Sequence, residues 1–148
     1  MTHKDLIELG ARWLYNKGYH VVLKELVTCA YEQPDVIGFR PTGFSFLLEA
    51  KTSRTDFLAD KKKHVRQVPR AGMGLFRSFV CPKDLIKPEE LPENWGLLYA
   101  NNNRIKQIVA PKAFKEFNIH AEQTLLVSLA RRVADDFEYK KYIFTRSR

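Results

Sequence analysis

The feature that most constrains the fold is a pair of apolar segments within residues 33–54 that carry charged side chains where core residues are expected. Both segments have the apolar composition of strands, and the Pro-Thr-Gly stretch between them is typical of a tight turn. The sequence therefore predicts a β-hairpin with strands over 35–40 and 44–51. The charged residues at the open end of this hairpin are Asp35, Glu49 and Lys51.

The spacing of these residues predicts that they meet. Residues two apart in a strand point to the same face, so Glu49 and Lys51 share a face and Ala50 points to the other. Pairing across the hairpin brings Asp35 beside Glu49. Two neighbouring carboxylates are costly to bury unless a cation compensates them, and Mg²⁺ prefers carboxylate and carbonyl oxygens. The alternative is a surface hairpin whose charged residues point to water.

The rest of the chain divides into helices and strands by its hydrophobic periodicity and turn residues. The order α-β-β-β-α-β, followed by a hairpin and a helix, predicts one α/β domain over 1–148 with a mixed sheet flanked by helices. A basic tail over 140–148 is expected to be mobile. The other predicted elements are a helix over 5–17, a strand over 19–28, a basic helix over 53–68, a strand over 75–81, a hairpin over 96–111 and a helix over 119–137.

The charge distribution favours a polyanionic partner. The chain carries a formal net charge of +8, and eight basic residues against two acidic ones lie between Lys51 and Arg77. Lysine and arginine contacts to phosphates release counterions and supply much of the affinity for nucleic acid. A solvated helix face is the alternative for such a run. The residues predicted to bind nucleic acid, some of them at the start of the basic helix, are Ser53, Arg54, Lys61, Lys62, Lys63, Arg66, Gln67 and Arg70.

Pro34-Asp35 followed by Glu49-Ala50-Lys51 resembles the PD-(D/E)XK nuclease superfamily. The stretches 49–62 and 96–111 look closer still to its MmcB-like branch, which is associated with DNA repair. The resemblance implies a restriction-endonuclease-like core and Mg²⁺- or Mn²⁺-dependent DNA cleavage, more as an endonuclease than an exonuclease. It also implies that Asp35, Glu49 and the Ala50 carbonyl hold the metal and that Lys51 is the catalytic lysine.

Many members of that superfamily add an acid from the first helix. The resemblance therefore implies a further metal-binding acid here, and two residues compete for this role. Glu25, inside the first predicted strand, is preferred slightly over Glu8, in the first helix. Each is equally well explained as an exposed acid facing water. Tyr31 and Trp95 are aromatic residues that either stack on bases or pack in the core, and packing is the preferred interpretation.

Several classes of function are disfavoured by the sequence. No apolar run approaches the roughly 20 residues that span a bilayer, and the N-terminus lacks the apolar stretch of a signal peptide, so we expect a cytoplasmic protein without a membrane partner. Cys29 and Cys81 are expected to be buried thiols. The sequence contains no Gly-rich phosphate-binding loop, so an NTPase is not indicated.

Three functions remain open from the sequence. The first is a DNA nuclease, directed to its target by a DNA-targeting protein partner because the chain is too small for a separate recognition domain. The second is a catalytically inactive nucleic-acid-binding module on the same fold. The third is an interaction protein whose basic face binds an acidic protein. A homodimer stays open, because no helix stands out as a dimer interface.

Overall fold

The computed structural model describes residues 1–26, 28–30 and 32–134, in which one six-stranded mixed sheet is flanked by helices. This α/β arrangement is confirmed, and the elements follow the predicted order except that two short helices replace the single helix expected between the third and fourth strands. The elements are α1 (His3–Asn16), β1 (Val21–Lys24), β2 (Val36–Phe39), β3 (Ser45–Ala50), α2 (Arg54–Asp60), α3 (His64–Gln67), β4 (Phe76–Pro82), β5 (Gly96–Asn101), β6 (Arg104–Val109) and α4 (Ile119–Val133).

The strands follow one another across the sheet in chain order. β1, β2 and β3 are antiparallel, β4 and β5 continue parallel to β3, and β6 is antiparallel to β5. The predicted β2–β3 hairpin is present, with Val36 paired to Leu48. Gly43 has a φ of +88° in its turn, a conformation that glycine adopts without steric cost. This register places the start of β2 beside the end of β3.

Both faces of the sheet are covered. α1 packs with Leu6 and Leu14 against one face, which includes Leu48 of β3. Phe57 of α2 and Leu125 of α4 lie over the other face. All six residues of β3 are buried as a result, which is typical of strands covered on both sides. A charged side chain at the end of β3 is therefore buried rather than exposed to water, so the surface-hairpin alternative is wrong.

The predicted basic helix over 53–68 is wrong as a single helix, because the chain forms two short helices with a turn between them. The backbone N–H groups of Lys62 and Lys63 donate to the carbonyls of Ala59 and Asp60, three residues earlier, at 3.1 and 3.0 Å. Lys63 itself is extended, with φ −63° and ψ 137°. The turn folds α3 back so that Lys63, just before this helix, and Arg66, within it, reach Glu49 near the end of β3.

Other expectations need correction near the ends of elements. The first strand stops at Lys24 instead of 28, and Glu25 follows it with a φ of +47°. Cys81 is buried as expected, but Cys29 is exposed because the chain has already left the sheet. The predicted continuation of α4 to Phe137 and the basic tail lie outside the described residues. Across the ranges that are described, no helix is long and apolar enough to cross a membrane.

Candidate active site

Asp35 is fixed at the open end of the hairpin by two backbone contacts. The backbone N–H of Glu25 donates to the Asp35 carbonyl at 2.9 Å, which extends the β1–β2 ladder to this residue. The Asp35 side chain accepts a 2.8 Å hydrogen bond from the backbone N–H of Ala50. The side chain is 20% exposed. The Asp35 carboxylate is thus hydrogen-bonded to Ala50, the residue between Glu49 and Lys51.

Glu49 is a buried carboxyl group with incomplete compensation. Its oxygens lie 3.3 Å from Arg66 Nη2 and 3.5 Å from Lys63 Nζ, and its side chain is only 5% exposed. Arg66 Nη2 is buried but makes no well-formed hydrogen bond. The pKa of Glu49 is raised to about 7, chiefly by burial and also by the Asp35 charge, against the lowering effect of Arg66, Lys63 and Lys51. Burial dominates because neither Arg66 nor Lys63 makes a short, well-aligned hydrogen bond with the carboxyl group.

Lys51 shares the Glu49 face of the sheet and is ion-paired there. Its Nζ lies 2.9 Å from Asp60 Oδ1 and 3.7 Å from Asp56 Oδ1, and its side chain is 3% exposed. Asp60 is equally buried. Burial raises the pKa of Asp60, but Arg66, Lys51 and Lys63 more than offset this and keep the pKa below its usual value. Asp60 therefore remains an anion that holds the Lys51 ammonium in place.

Arg66 connects the two halves of this site. Its Nε donates to Asp60 Oδ2 at 2.7 Å, and its Nη1 lies 3.4 Å from Glu32 Oε2. The guanidinium also lies 4.4 Å from the centre of the Trp95 ring. Leaving out Asp56, whose side chain is half exposed, we call the other six connected residues the ionic network: Glu32, Glu49, Lys51, Asp60, Lys63 and Arg66. Sequence reasoning missed Glu32 and Asp60, since no pattern marks either residue as part of a site.

A cavity of about 340 Å³ opens beside Glu49. Besides Glu49, its polar lining includes Glu32, Gln33, Lys63, His64 and Arg66. The cavity gives the otherwise buried carboxyl group a route to solvent and to small ions. A bound ion there has to compete with Lys63 and Arg66 for the Glu49 oxygens.

The two additional acids predicted from the sequence take different positions. Glu8 Oε1 accepts a 2.6 Å hydrogen bond from Lys24 Nζ, and both side chains are exposed. Glu25 instead lies near Asp35, with His3 between their carboxylates: His3 Nε2 is 3.4 Å from Asp35 Oδ2 and His3 Nδ1 is 3.9 Å from Glu25 Oε1. Sequence reasoning missed His3, whose position depends on where α1 begins.

The predicted phosphate-contacting residues are only partly available on the surface. Ser53 caps α2 by accepting from the Asp56 N–H at 3.1 Å. Arg54 makes two 2.6 Å hydrogen bonds to Glu90. Arg66 is buried in the ionic network, with a side chain 4% exposed, so this arrangement leaves it no open face for a phosphate. Lys63 is partly exposed but contacts Glu49 and Asp60. The remaining exposed residues are Lys61, Lys62, Gln67 and Arg70.

Trp95 packs in the core as preferred from the sequence. Its ring stacks on Phe79 at a centroid distance of 4.4 Å, and it is buried beneath Arg66. Tyr31 lies outside the described residues.

The side chains at the hairpin end fit a hard divalent cation in their chemistry. Asp35 and Glu49 are oxygen donors whose mutual repulsion contributes to the raised pKa of Glu49. A dication relieves such repulsion and favours the ionised form of both groups. With the Ala50 carbonyl between them, these residues are the ones that would hold Mg²⁺ or Mn²⁺.

Comparisons with known proteins show a related fold without a known activity. No family model matches the chain, and no curated protein matches it. The solved structure of a protein of unknown function from Silicibacter pomeroyi is similar over 99% of this chain and 98% of its own, with a TM-score of 0.69 and 23% sequence identity. At 23% identity the similarity concerns the fold alone. This fold has therefore already been observed in an experimental structure.

Proposed function

We propose that this protein is a metal-dependent nuclease of the PD-(D/E)XK superfamily that hydrolyses DNA phosphodiester bonds on a restriction-endonuclease-like core. We infer an endonuclease acting in DNA repair, recombination or the processing of mobile-element DNA. The observation that supports this most is the hydrogen bond from the Ala50 N–H to Asp35, which fixes this acid beside the strand end that carries the buried Glu49 and Lys51.

Each residue of this trio has a role that its environment favours. Asp35, Glu49 and the Ala50 carbonyl would hold the dication, which when bound lowers the pKa of a water and neutralises charge at phosphorus. Lys51 Nζ is positioned by Asp60 Oδ1 at 2.9 Å and would orient the attacking water or a phosphate oxygen. The buried setting strengthens these electrostatic interactions relative to bulk water.

The first test is cleavage of a panel of labelled DNA structures in Mg²⁺ or Mn²⁺. We expect the wild-type chain to cleave, and Asp35→Asn and Glu49→Gln to lose cleavage while DNA binding stays within about twofold, because both variants keep the side-chain shape and remove a metal-binding charge. The matched control is Glu116→Gln, the same chemical change at an exposed residue. Cleavage at the wild-type rate by both site variants contradicts the proposal.

A second prediction concerns the exposed lysines at the turn between α2 and α3. Replacing Lys61 and Lys62 together with alanine is expected to weaken binding to all DNA sequences equally and to reduce the slope of log K against log salt by about 1–2, because each phosphate contact contributes about 0.9. The measurement is fluorescence anisotropy across a salt series. Lys112 and Lys115, exposed on the segment before α4, provide the control pair. An equal loss of slope in both double variants refutes a phosphate contact specific to the turn.

A catalytically inactive DNA-binding module is the second candidate function. The ionic network favours it, because Lys63 and Arg66 already compensate Glu49 in part without a metal ion, and Lys51 is paired with Asp60. In this case the cleavage panel gives binding by the wild-type chain and both site variants, and cleavage by none of them.

A further inference from the structure

Asp35 faces a second group of donor atoms, which the predicted trio does not include. We propose that His3, Glu25 and Asp35, hereafter the His3 cluster, bind a transition-metal dication such as Mn²⁺ or Zn²⁺ through one imidazole nitrogen and two carboxylates. Asp35 would be shared with the metal site of the proposed nuclease. The inference goes beyond that proposed function and holds whether or not the chain cleaves DNA.

The donor atoms are already close together. One ligand atom from each residue lies within 4.8 Å of the other two. Ligand bonds of about 2.0–2.2 Å around a four- or six-coordinate metal place neighbouring donors roughly 3–3.6 Å apart. The distance of 3.4 Å between His3 Nε2 and Asp35 Oδ2 is within this range. Small rotations of the exposed His3 and Glu25 side chains are enough to bring all three donors onto one ion.

Three separate elements fix these residues at one place. His3 is the first residue of α1, whose start is fixed by a capping box between Thr2 and Asp5. Glu25 directly follows β1, and its N–H donates to the Asp35 carbonyl at 2.9 Å. Asp35 is held by the Ala50 N–H. Convergence of two loop ends and a helix start therefore sets the cluster before any ion binds.

The chemistry of the donors indicates which class of ion they prefer. Imidazole nitrogen suits Fe²⁺ and Zn²⁺, and Mn²⁺, though it favours oxygen ligands, accepts it more readily than Mg²⁺, which keeps much of its water. All three side chains are partly exposed, at 43% for His3, 55% for Glu25 and 20% for Asp35. Water or a phosphate oxygen can therefore complete the coordination. Selection of a transition metal over Mg²⁺ then depends on His3.

The probe is Mn²⁺ itself, added to the full chain and followed by electron paramagnetic resonance. We expect pulsed spectra of bound Mn²⁺ to show nitrogen coupling from a histidine. His3→Ala is expected to abolish this coupling and weaken Mn²⁺ binding about tenfold or more, with Mg²⁺ affinity changed less than about threefold. The control is His120→Ala, at an exposed histidine near the start of α4. Circular dichroism confirms that each variant is folded.

The outcomes separate this inference from the proposed nuclease. Nitrogen-coupled Mn²⁺ that is lost in His3→Ala supports the His3 cluster, even if no DNA is cleaved. Bound Mn²⁺ without nitrogen coupling, or equal affinity in wild type and His3→Ala, overturns the cluster and leaves His3 as a surface ion-pair partner. Cleavage in the presence of Mg²⁺ that is lost in Asp35→Asn but kept in His3→Ala supports the nuclease alone.

Discussion

Replacing Arg66 with methionine is expected to lower the free energy of unfolding by about 3–5 kcal/mol at pH 7.5, the cost typical of removing one partner from a buried ion pair. Methionine fills much of the arginine volume, so little of this loss comes from a cavity. The loss arises because Arg66 Nε donates to Asp60 at 2.7 Å and Nη1 lies 3.4 Å from Glu32. Without Arg66, these buried carboxylates lose their shared cation.

Urea denaturation of the wild-type chain and the variant measures this effect. Arg70→Met is the matched control, because it makes the same change at an exposed residue of the following turn and should cost less than about 0.5 kcal/mol. The deficit of Arg66→Met should shrink as pH falls from 7.5 to 5. Buried acids that have lost their cation have raised pKa values. Each such acid destabilises the fold while it is ionised, and this cost disappears when the acid is protonated at lower pH. Equal stability of the two variants at pH 7.5 rules out a structural role for the network.

The hairpin could be predicted from the sequence because its signals are local. A turn with glycine separates two apolar runs, and β-strand alternation then places Glu49 and Lys51 on one face. The register that pairs Val36 with Leu48 follows from the same short segment. This is the part of the candidate site that needs no knowledge of the rest of the fold.

The partners of the trio could not be predicted because they come from distant parts of the chain. Asp60 reaches Lys51 only because the crossover from β3 to β4 begins with a helix that packs over Glu49's face of the sheet. His3 reaches Asp35 only because α1 starts near the beginning of β2. Spacing along the chain contains no information on either contact.

The basic segment was misread for a related reason. A charge run on an amphipathic pattern predicts a continuous helix with a solvated face, and helix propensity favours Lys61 and Lys62 in that helix. The tertiary structure instead requires a turn, since Lys63 and Arg66 approach buried acids at 3.5 Å or less. Part of the positive charge predicted for DNA binding is thus used within the fold.

The proposed nuclease activity is expected to depend steeply on pH because burial raises the pKa of Glu49 to about 7. A metal binds the ionised carboxylate, so proton and metal compete for Glu49. At a fixed, subsaturating Mg²⁺ concentration, the cleavage rate should rise about 50-fold between pH 5 and 7, as the ionised fraction grows from about 1% to one half. The midpoint should move to lower pH as the Mg²⁺ concentration increases.

The contribution of Glu49 to the free energy of unfolding should decrease between pH 5 and 7, the interval in which the cleavage rate increases. This decrease provides a control that does not depend on cleavage. A carboxyl group whose folded pKa of about 7 exceeds its usual 4.5 stabilises the fold below pH 4.5, and this contribution is lost as pH rises through 7. Without metal, the wild-type chain should therefore lose stability relative to Glu49→Gln by at most about 1.4 kcal/mol per pH unit in this interval. Equal pH profiles of unfolding in the two proteins would mean that Glu49 ionises as an ordinary surface acid, and the steep pH dependence of cleavage would then have to arise from another group.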